Sequence, residues 1–178
     1  MNRFIRTNSF YLRSISADDA SNAYLSWLND PETTLGLASG TFPSNIQDLR
    51  KYLSSVTESK DAVMLAICMN DSEEHIGNVK LDRFDWISRT AELGILIGSR
   101  EHRGIGIGTE TCKAIAEYAF KTLNLRKILL AVYANNPAAI RSYEKAGFTT
   151  EAVLKAHVFA GGEYVDKCYM SIFNPDLQ

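Results

Sequence analysis

The most chemically loaded stretch of this 178-residue chain is Arg103-Gly104-Ile105-Gly106-Ile107-Gly108, followed by Thr109-Glu110. An apolar run ending at Gly98 precedes it and a stretch of helical periodicity follows, so strand, glycine loop and helix come in that order. Glycines let a backbone approach a ligand without interference from Cβ. The unpaired amides of a first helical turn, with the helix dipole, favour a di-anion. Phosphate chemistry is therefore expected here, and spacing narrows which kind. A Walker A loop needs Gly-Lys-Ser/Thr, whereas Gly108 is followed by Thr109-Glu110. A dinucleotide fingerprint needs G-x-G-x-x-G and an acidic residue closing the next strand, but that strand ends in Val132-Tyr133-Ala134. Taken alone, a glycine-rich turn before a helix is also a tight connection.

A second segment carries the reading further. Arg103, Gly106 and Gly108 satisfy the pattern Arg/Gln-x-x-Gly-x-Gly/Ala. Downstream, Asn136, Ala139, Tyr143, Gly147 and Phe148 satisfy Asn-x-x-Ala-x-x-x-Tyr-x-x-x-Gly-Phe at every marked position. On these two motifs the chain resembles the GNAT superfamily of N-acetyltransferases, from about Ile76 to its end and more loosely before that.

The resemblance implies acetyl-CoA as cosubstrate, its pyrophosphate on Arg103, Gly104, Ile105, Gly106, Ile107, Gly108 and Thr109. It implies a sheet splayed open beside the loop, with pantetheine along the backbone of Ile95, Leu96 and Ile97. Asn136 would contact CoA or fix its loop, and it is equally an N-cap before Pro137. Transfer to an amine needs one acid and one base in a ternary complex. Tyr143 matches the family's tyrosine, and a phenol of pKa about 10 can reprotonate a thiolate whose conjugate acid lies near about 8.5. Packing on the face of Ala139 and Ile140 is its other role. Glu92 is the candidate base, where some relatives carry a carboxylate; a solvent-facing or salt-bridged strand glutamate is the alternative.

The front half, with Leu25-Ser26-Trp27-Leu28-Asn29-Asp30-Pro31-Glu32, resembles the branch of ribosomal-protein N-terminal, spermidine and amino-sugar acetyltransferases. Trp27, Asn29, Asp30 and Glu32 are then candidates for the acceptor wall, the alternative being a capped helix end with a buried tryptophan. A small primary amine, an amino-sugar nucleotide or a polyamine, is the expected acceptor. A protein N-terminus is the runner-up, and a non-catalytic CoA-binding module is the competing class.

These residues need elements to hold them. Phe10 to Ile15 alternates as a strand; Ser16 and Asp19 form a capping-box signal for a helix through Leu28, interrupted at Asp30-Pro31-Glu32. Ser44 with Gln47 opens a second helix. Ala62 to Met69 and His75 to Phe84 read as a hairpin, and Ala91 to Ile97 as a central strand. Thr109 to Leu125 reads as a helix, Lys127 to Ala134 as a strand, and Pro137 to Gly147 as a second helix. Gly161-Gly162 turns a final hairpin that runs to Phe173. The expectation is one α/β (α+β mixed) domain over 1–178, a mixed, mostly antiparallel sheet with about four helices. The CoA-binding core spans about 76–150, and acceptor-side elements span about 17–55 and 151–173.

Composition bounds the rest. With 46% apolar and 22% charged residues and net charge −2, nothing pulls the chain toward nucleic acid. Cys68, Cys112 and Cys168 lie in separate apolar stretches, read as reduced core thiols. His75, His102 and His157 lack metal-ligand spacing, so no metal is expected. No run reaches a membrane span and residues 1–6 are too polar for a secretory signal, so a cytoplasmic protein is expected. The resemblance, and not the residues themselves, suggests a homodimer through a sheet edge near the final hairpin.

Overall fold

The computed structural model describes residues 3–36 and 41–177. The first two residues of the polar start and residues 37–40 of the acceptor-side segment thus lie outside the described residues. Packing divides the chain into two compact units, Met1–Leu81 with Ile95–Arg103, and Asp82–Gly94 with Gly104–Gln178. Strands β4 (His75–Asp85) and β5 (Thr90–Ile97) contribute to both.

In the first unit the strand order is β1 (Ile5–Arg6), β2 (Phe10–Ser14), β3 (Ala62–Met69), β4, β5. β1 pairs antiparallel with β2 (Ile5↔Leu12), and β2 with β3 (Phe10↔Met69). Leu65 to Cys68 are all buried because the sheet is covered on both faces. On one face, Tyr24 and Trp27 of α1 (Asn22–Asn29) and Leu49 and Leu53 of α3 (Ile46–Glu58) pack with Ile15 and Ala20.

Three local expectations are corrected here. The Ser16–Asp19 capping box exists, but it closes only a 3-10 turn over Ala17–Asp19. Asp19 is also bound by Arg13, at 2.6 and 2.9 Å, and the α-helix starts afresh behind a second cap, Ser21. The interruption at Pro31 is itself a short helix, α2 (Pro31–Thr34), capped by Asp30. Asn45, and not Ser44, caps α3, its Oδ1 accepting from the amides of Gln47 and Asp48.

The second unit holds the strand order β4, β5, β6 (Lys127–Tyr133), β8 (Glu163–Phe173), β7 (Thr149–Ala160). β5 and β6 are parallel, Thr90↔Lys127 to Glu92↔Leu129, and α4 (Ile107–Lys121) connects them. α4 buries Ile107, Thr111, Cys112, Ile115, Ala116 and Ala119, one face at helical period. β8 is antiparallel to both β6 (Lys127↔Phe173) and β7, which is left as an exposed edge strand. Gly161 (φ 65°) and Gly162 (φ 90°) turn that hairpin, a backbone that two consecutive glycines adopt without strain. α5 (Pro137–Lys145) ends where Gly147, at φ 101°, leaves it.

The fold is thus mixed α/β, mostly antiparallel, with five α-helices among the described residues where about four were expected. The three cysteines are free and buried. No helix among the described residues is long and apolar enough to cross a membrane.

Candidate functional site

The glycine loop opens α4 two residues earlier than the periodicity suggests, because Gly106 takes the N-cap in the left-handed region at φ 98°. Gly104 is also left-handed, at φ 75°. A side chain at either position costs about 1–2 kcal/mol of backbone strain. No side chain caps α4, and its first intrahelical bond runs from Glu110 N–H to Gly106 C=O. The amides of Ile107, Gly108 and Thr109 therefore have no acceptor within the helix and sit at its positive end. That donor set fits a pyrophosphate.

Facing this first turn is α5. Asn136 caps it through Oδ1, which accepts from the Ala139 amide at 3.1 Å. Thr109 Oγ1 lies 2.8 Å from Ser142 Oγ. Next along α5, Tyr143 packs near Phe148, ring centroids 6.1 Å apart, and beside Cys112 of α4. Burial raises the phenol's pKa well above its ordinary value, and the neighbouring thiol adds to the rise. Burial pushes Cys112 itself up to about 12, so it remains a neutral thiol. No hydrogen bond among the described residues engages the Tyr143 hydroxyl.

The pairing of β5 with β6 ends at Glu92↔Leu129. Just beyond, Gly94 and Ala131 are exposed, small residues in the middle of strands, and nothing lies within 4 Å of where a Gly94 Cβ would be. Glu92 forms a salt bridge to Arg83 Nη1 at 2.8 Å, with its side chain 41% exposed. Exposed pairs of this kind contribute little to stability.

The other expected residues belong to the first unit. Arg103 does not extend along the loop. Its Nε donates to Ile97 C=O at 2.9 Å, and its Nη2 donates to Gly98 C=O at 3.0 Å and Thr33 Oγ1 at 2.6 Å. Its backbone amide is bonded to Arg100 C=O. Arg103 thus ties the end of β5 to α2, the half-buried Ile95, Leu96 and Ile97 leading into it. Trp27 is 8% exposed and packs in a three-ring cluster with Tyr24 and His75, with centroids at 5.4 and 5.3 Å and those two rings themselves 5.7 Å apart. Asn29 exchanges two hydrogen bonds with the backbone of Ser44. Asp30 accepts from the Thr33 hydroxyl and amide and pairs with Arg100, and the Thr33 hydroxyl first, then Arg100, hold its carboxyl down at about 2. Glu32 pairs with Arg100 at 3.0 Å and reaches Arg103 at 3.7 Å.

Of the four acceptor candidates, Trp27 and Asp30 line a cavity of about 460 Å³, shared with Thr33, Glu74, Ser99 and Glu101 among others. Asn29 and Glu32 are outside its lining. His102 is bonded through Nδ1 to Ser99 Oγ at 2.8 Å, and His75 through Nε2 to Asn78 at 2.9 Å.

Sequence reasoning missed Thr33, Arg100, Glu74 and Ser142. Thr33 and Arg100 lie 70 residues from their partners, and no local pattern announces such pairs. Ser142 had one available signal, a hydroxyl beside the motif tyrosine.

Comparison with known proteins identifies the family and the fold. The family model described as an acetyltransferase (GNAT) domain matches residues 9–149. The chain is 40% identical over 91 residues to a spermidine N(1)-acetyltransferase of Vibrio cholerae, covering 51% of this chain and 52% of that protein. The match therefore spans about half the length of that curated relative. The fold superposes with a TM-score of 0.84 on spermidine N-acetyltransferase from Vibrio cholerae in complex with CoA and spermine, 26% identical and covering 94% of this chain and 96% of that one. A dodecameric structure of spermidine N-acetyltransferase from the same organism superposes at 0.78, with 27% identity over 94% and 95% of the two chains.

Proposed function

The chain belongs to the acetyltransferase (GNAT) family, and on that premise we propose that it transfers the acetyl group of acetyl-CoA directly to a small primary amine. One observation carries the reading. Tyr143, half-buried and with its hydroxyl unengaged, is held on α5 against α4, the helix whose uncapped first turn follows Gly106. A donor set for pyrophosphate and a protonated phenol thus sit on one pair of packed helices.

The amides of Ile107, Gly108 and Thr109 hold the pyrophosphate, and the exposed backbone at Gly94 admits the pantetheine arm. The amine's lone pair attacks the thioester carbon; the C–N bond forms and the C–S bond breaks. Tyr143 gives its proton to the departing thiolate. The phenol's raised pKa keeps it protonated at neutral pH, so it reaches the thiolate as a proton donor. Glu92 accepts the proton that the amine loses, directly or through water, and its side chain, paired with Arg83, is open to solvent.

For the acceptor, the cavity lined by Trp27, Asp30, Glu74 and Glu101 supports a cationic amine, since three carboxylates and one indole surround it with Arg100 as the counter-charge. Asp30 stays ionised far below neutral pH. The likeness to spermidine acetyltransferases supports a polyamine within that class. The free, buried cysteines suit a reducing cytoplasm. Exposed Val153, Leu154 and Phe159 along edge strand β7 support self-association, as in the dodecameric relative, and sedimentation velocity tests it.

The direct test is thiol release from acetyl-CoA with spermidine, amino-sugar nucleotides and short peptides as acceptors, for wild type and Tyr143→Phe. Release with the small amines, slowed about 100-fold or more in Tyr143→Phe, is expected. Release with peptides alone establishes the N-terminal acetyltransferase instead. Binding of acetyl-CoA with no release under any amine leaves a CoA-binding module.

A further inference from the structure

We propose that Ser142 is a positioning residue for the transfer, acting through Tyr143. Its hydroxyl, locked to Thr109, registers the phenol against the first turn of α4. The inference rests on the reading of Tyr143 as the acid.

The geometry lies wholly within α4 and α5. Thr109 is the third residue of α4 and carries one of the three amides left free at its N-terminus. Its Oγ1 reaches both Ser142 Oγ, at 2.8 Å, and Ser142 C=O, at 3.3 Å. The Thr109 hydroxyl donates to the Ser142 carbonyl and accepts from the Ser142 hydroxyl, and this pair of bonds fixes both the rotation and the axial position of α5 at that point. Cys112 lies three residues beyond Thr109, on the same side of α4, and interacts with Tyr143. Adjacent residues of α5 thus meet neighbouring residues of α4, Ser142 with Thr109 and Tyr143 with Cys112. Only the first of these contacts is directional. The second is a ring beside a neutral thiol, which resists sliding weakly.

Beyond Ser142, α5 ends within three residues, and Gly147 is left-handed. The amides of Ala146 and Phe148 both fold back to Tyr143 C=O. The tyrosine is therefore held locally by its own C-cap and against α4 by Ser142. The side of α4 that binds pyrophosphate and the side of α5 that bears the acid are joined through this hydroxyl pair. Acid catalysis depends on the phenol meeting the sulfur at hydrogen-bond distance. A misplacement of about 1 Å can cost up to 100-fold in rate.

The test is a mutant cycle on kcat and on KM for acetyl-CoA, using the fastest acceptor in the amine panel. The variants are Ser142→Ala, Thr109→Val, Thr109→Ser and Tyr143→Phe, with Ser142→Ala also made in the Tyr143→Phe background. Thermal melting of each confirms the fold.

Ser142→Ala and Thr109→Val are expected to lower kcat about 10-fold with KM changed less than about 2-fold. Thr109→Ser, which keeps the hydroxyl, restores the rate. In the Tyr143→Phe background Ser142→Ala should cost less than about 2-fold, because the group it positions is gone.

Equal losses in both backgrounds, or a Ser142→Ala enzyme at full rate beside a slow Tyr143→Phe, overturn the positioning role and leave the acid in place. A Tyr143→Phe enzyme at full rate, or no amine that releases thiol, removes the acid itself, and the inference falls with it.

Discussion

Gly98→Ala is the substitution whose cost the structure sets most directly. A Cβ built on Gly98 lands inside the indole of Trp27, with Cδ2 and Cε3 the nearest atoms and Cε2 at 2.5 Å. Neither side can yield easily. Trp27 is packed against both Tyr24 and His75 in one ring cluster and is 8% exposed. Gly98 is fixed by its amide to Ile76 C=O at 2.8 Å and by its carbonyl, which accepts from Arg103. The methyl group therefore displaces the ring, and the cost belongs at the upper end of the overpacking range, about 3 kcal/mol. For a chain of this size each kcal/mol shifts the melting temperature by about 2–4 °C, so a fall of roughly 6–12 °C is expected. Differential scanning calorimetry measures it, with Gly94→Ala as the control. Nothing lies within 4 Å of a Gly94 Cβ, so that variant should melt within about 2 °C of wild type. A Gly98→Ala protein as stable as the control would refute the packing of Trp27 on the end of β5.

Three further outcomes are expected. Asp19→Asn, which breaks the nearly buried pair with Arg13, should destabilise by about 3 kcal/mol in urea unfolding at pH 7. Burial alone would raise the Asp19 pKa, but the bonds from Arg13 and the Ser16 amide outweigh it and leave it depressed. The stabilisation is therefore full above the unfolded value and is lost as pH falls through the folded one, so wild type and variant should converge in acid. Arg103→Lys cannot reproduce the guanidinium's bonds to Ile97, Gly98 and Thr33, and should cost about 2 kcal/mol by the same assay, a loss under about 0.5 kcal/mol counting against the tie. Gly106→Ala places a side chain at φ 98°, at the cap of α4. It should weaken CoA binding at least about 10-fold by calorimetry, and unchanged affinity would dissociate the loop from the pyrophosphate.

Much of this protein was legible along the chain because the signals are local. Gly104 and Gly106 announce a left-handed loop, Asn136-Pro137 a capped helix, and Gly161-Gly162 a hairpin, since each imposes a backbone geometry on its own neighbours. The strands and helices of the second unit followed from periodicity over many residues, whereas their order in the sheet did not. Errors arose where several caps competed within a few residues. Ser16 closed a 3-10 turn and a second cap, Ser21, opened the helix, while Asn45, one residue beyond Ser44, caps α3.

What each candidate side chain does was decided only by tertiary structure. The motif singles out Arg103, but folding spends its guanidinium on Thr33, 70 residues away, and on the end of β5. Glu92 is a carboxylate on a strand in sequence, and only the return of β4 gives it Arg83. Asp30 and Trp27 become cavity walls while Asn29 becomes a clamp, though all three lie within one short segment. The sequence by itself determined the elements and the loop because those depend on near neighbours. The partners of long polar side chains depend on which distant segments packing brings within about 3 Å, and nothing in a local pattern encodes that distance.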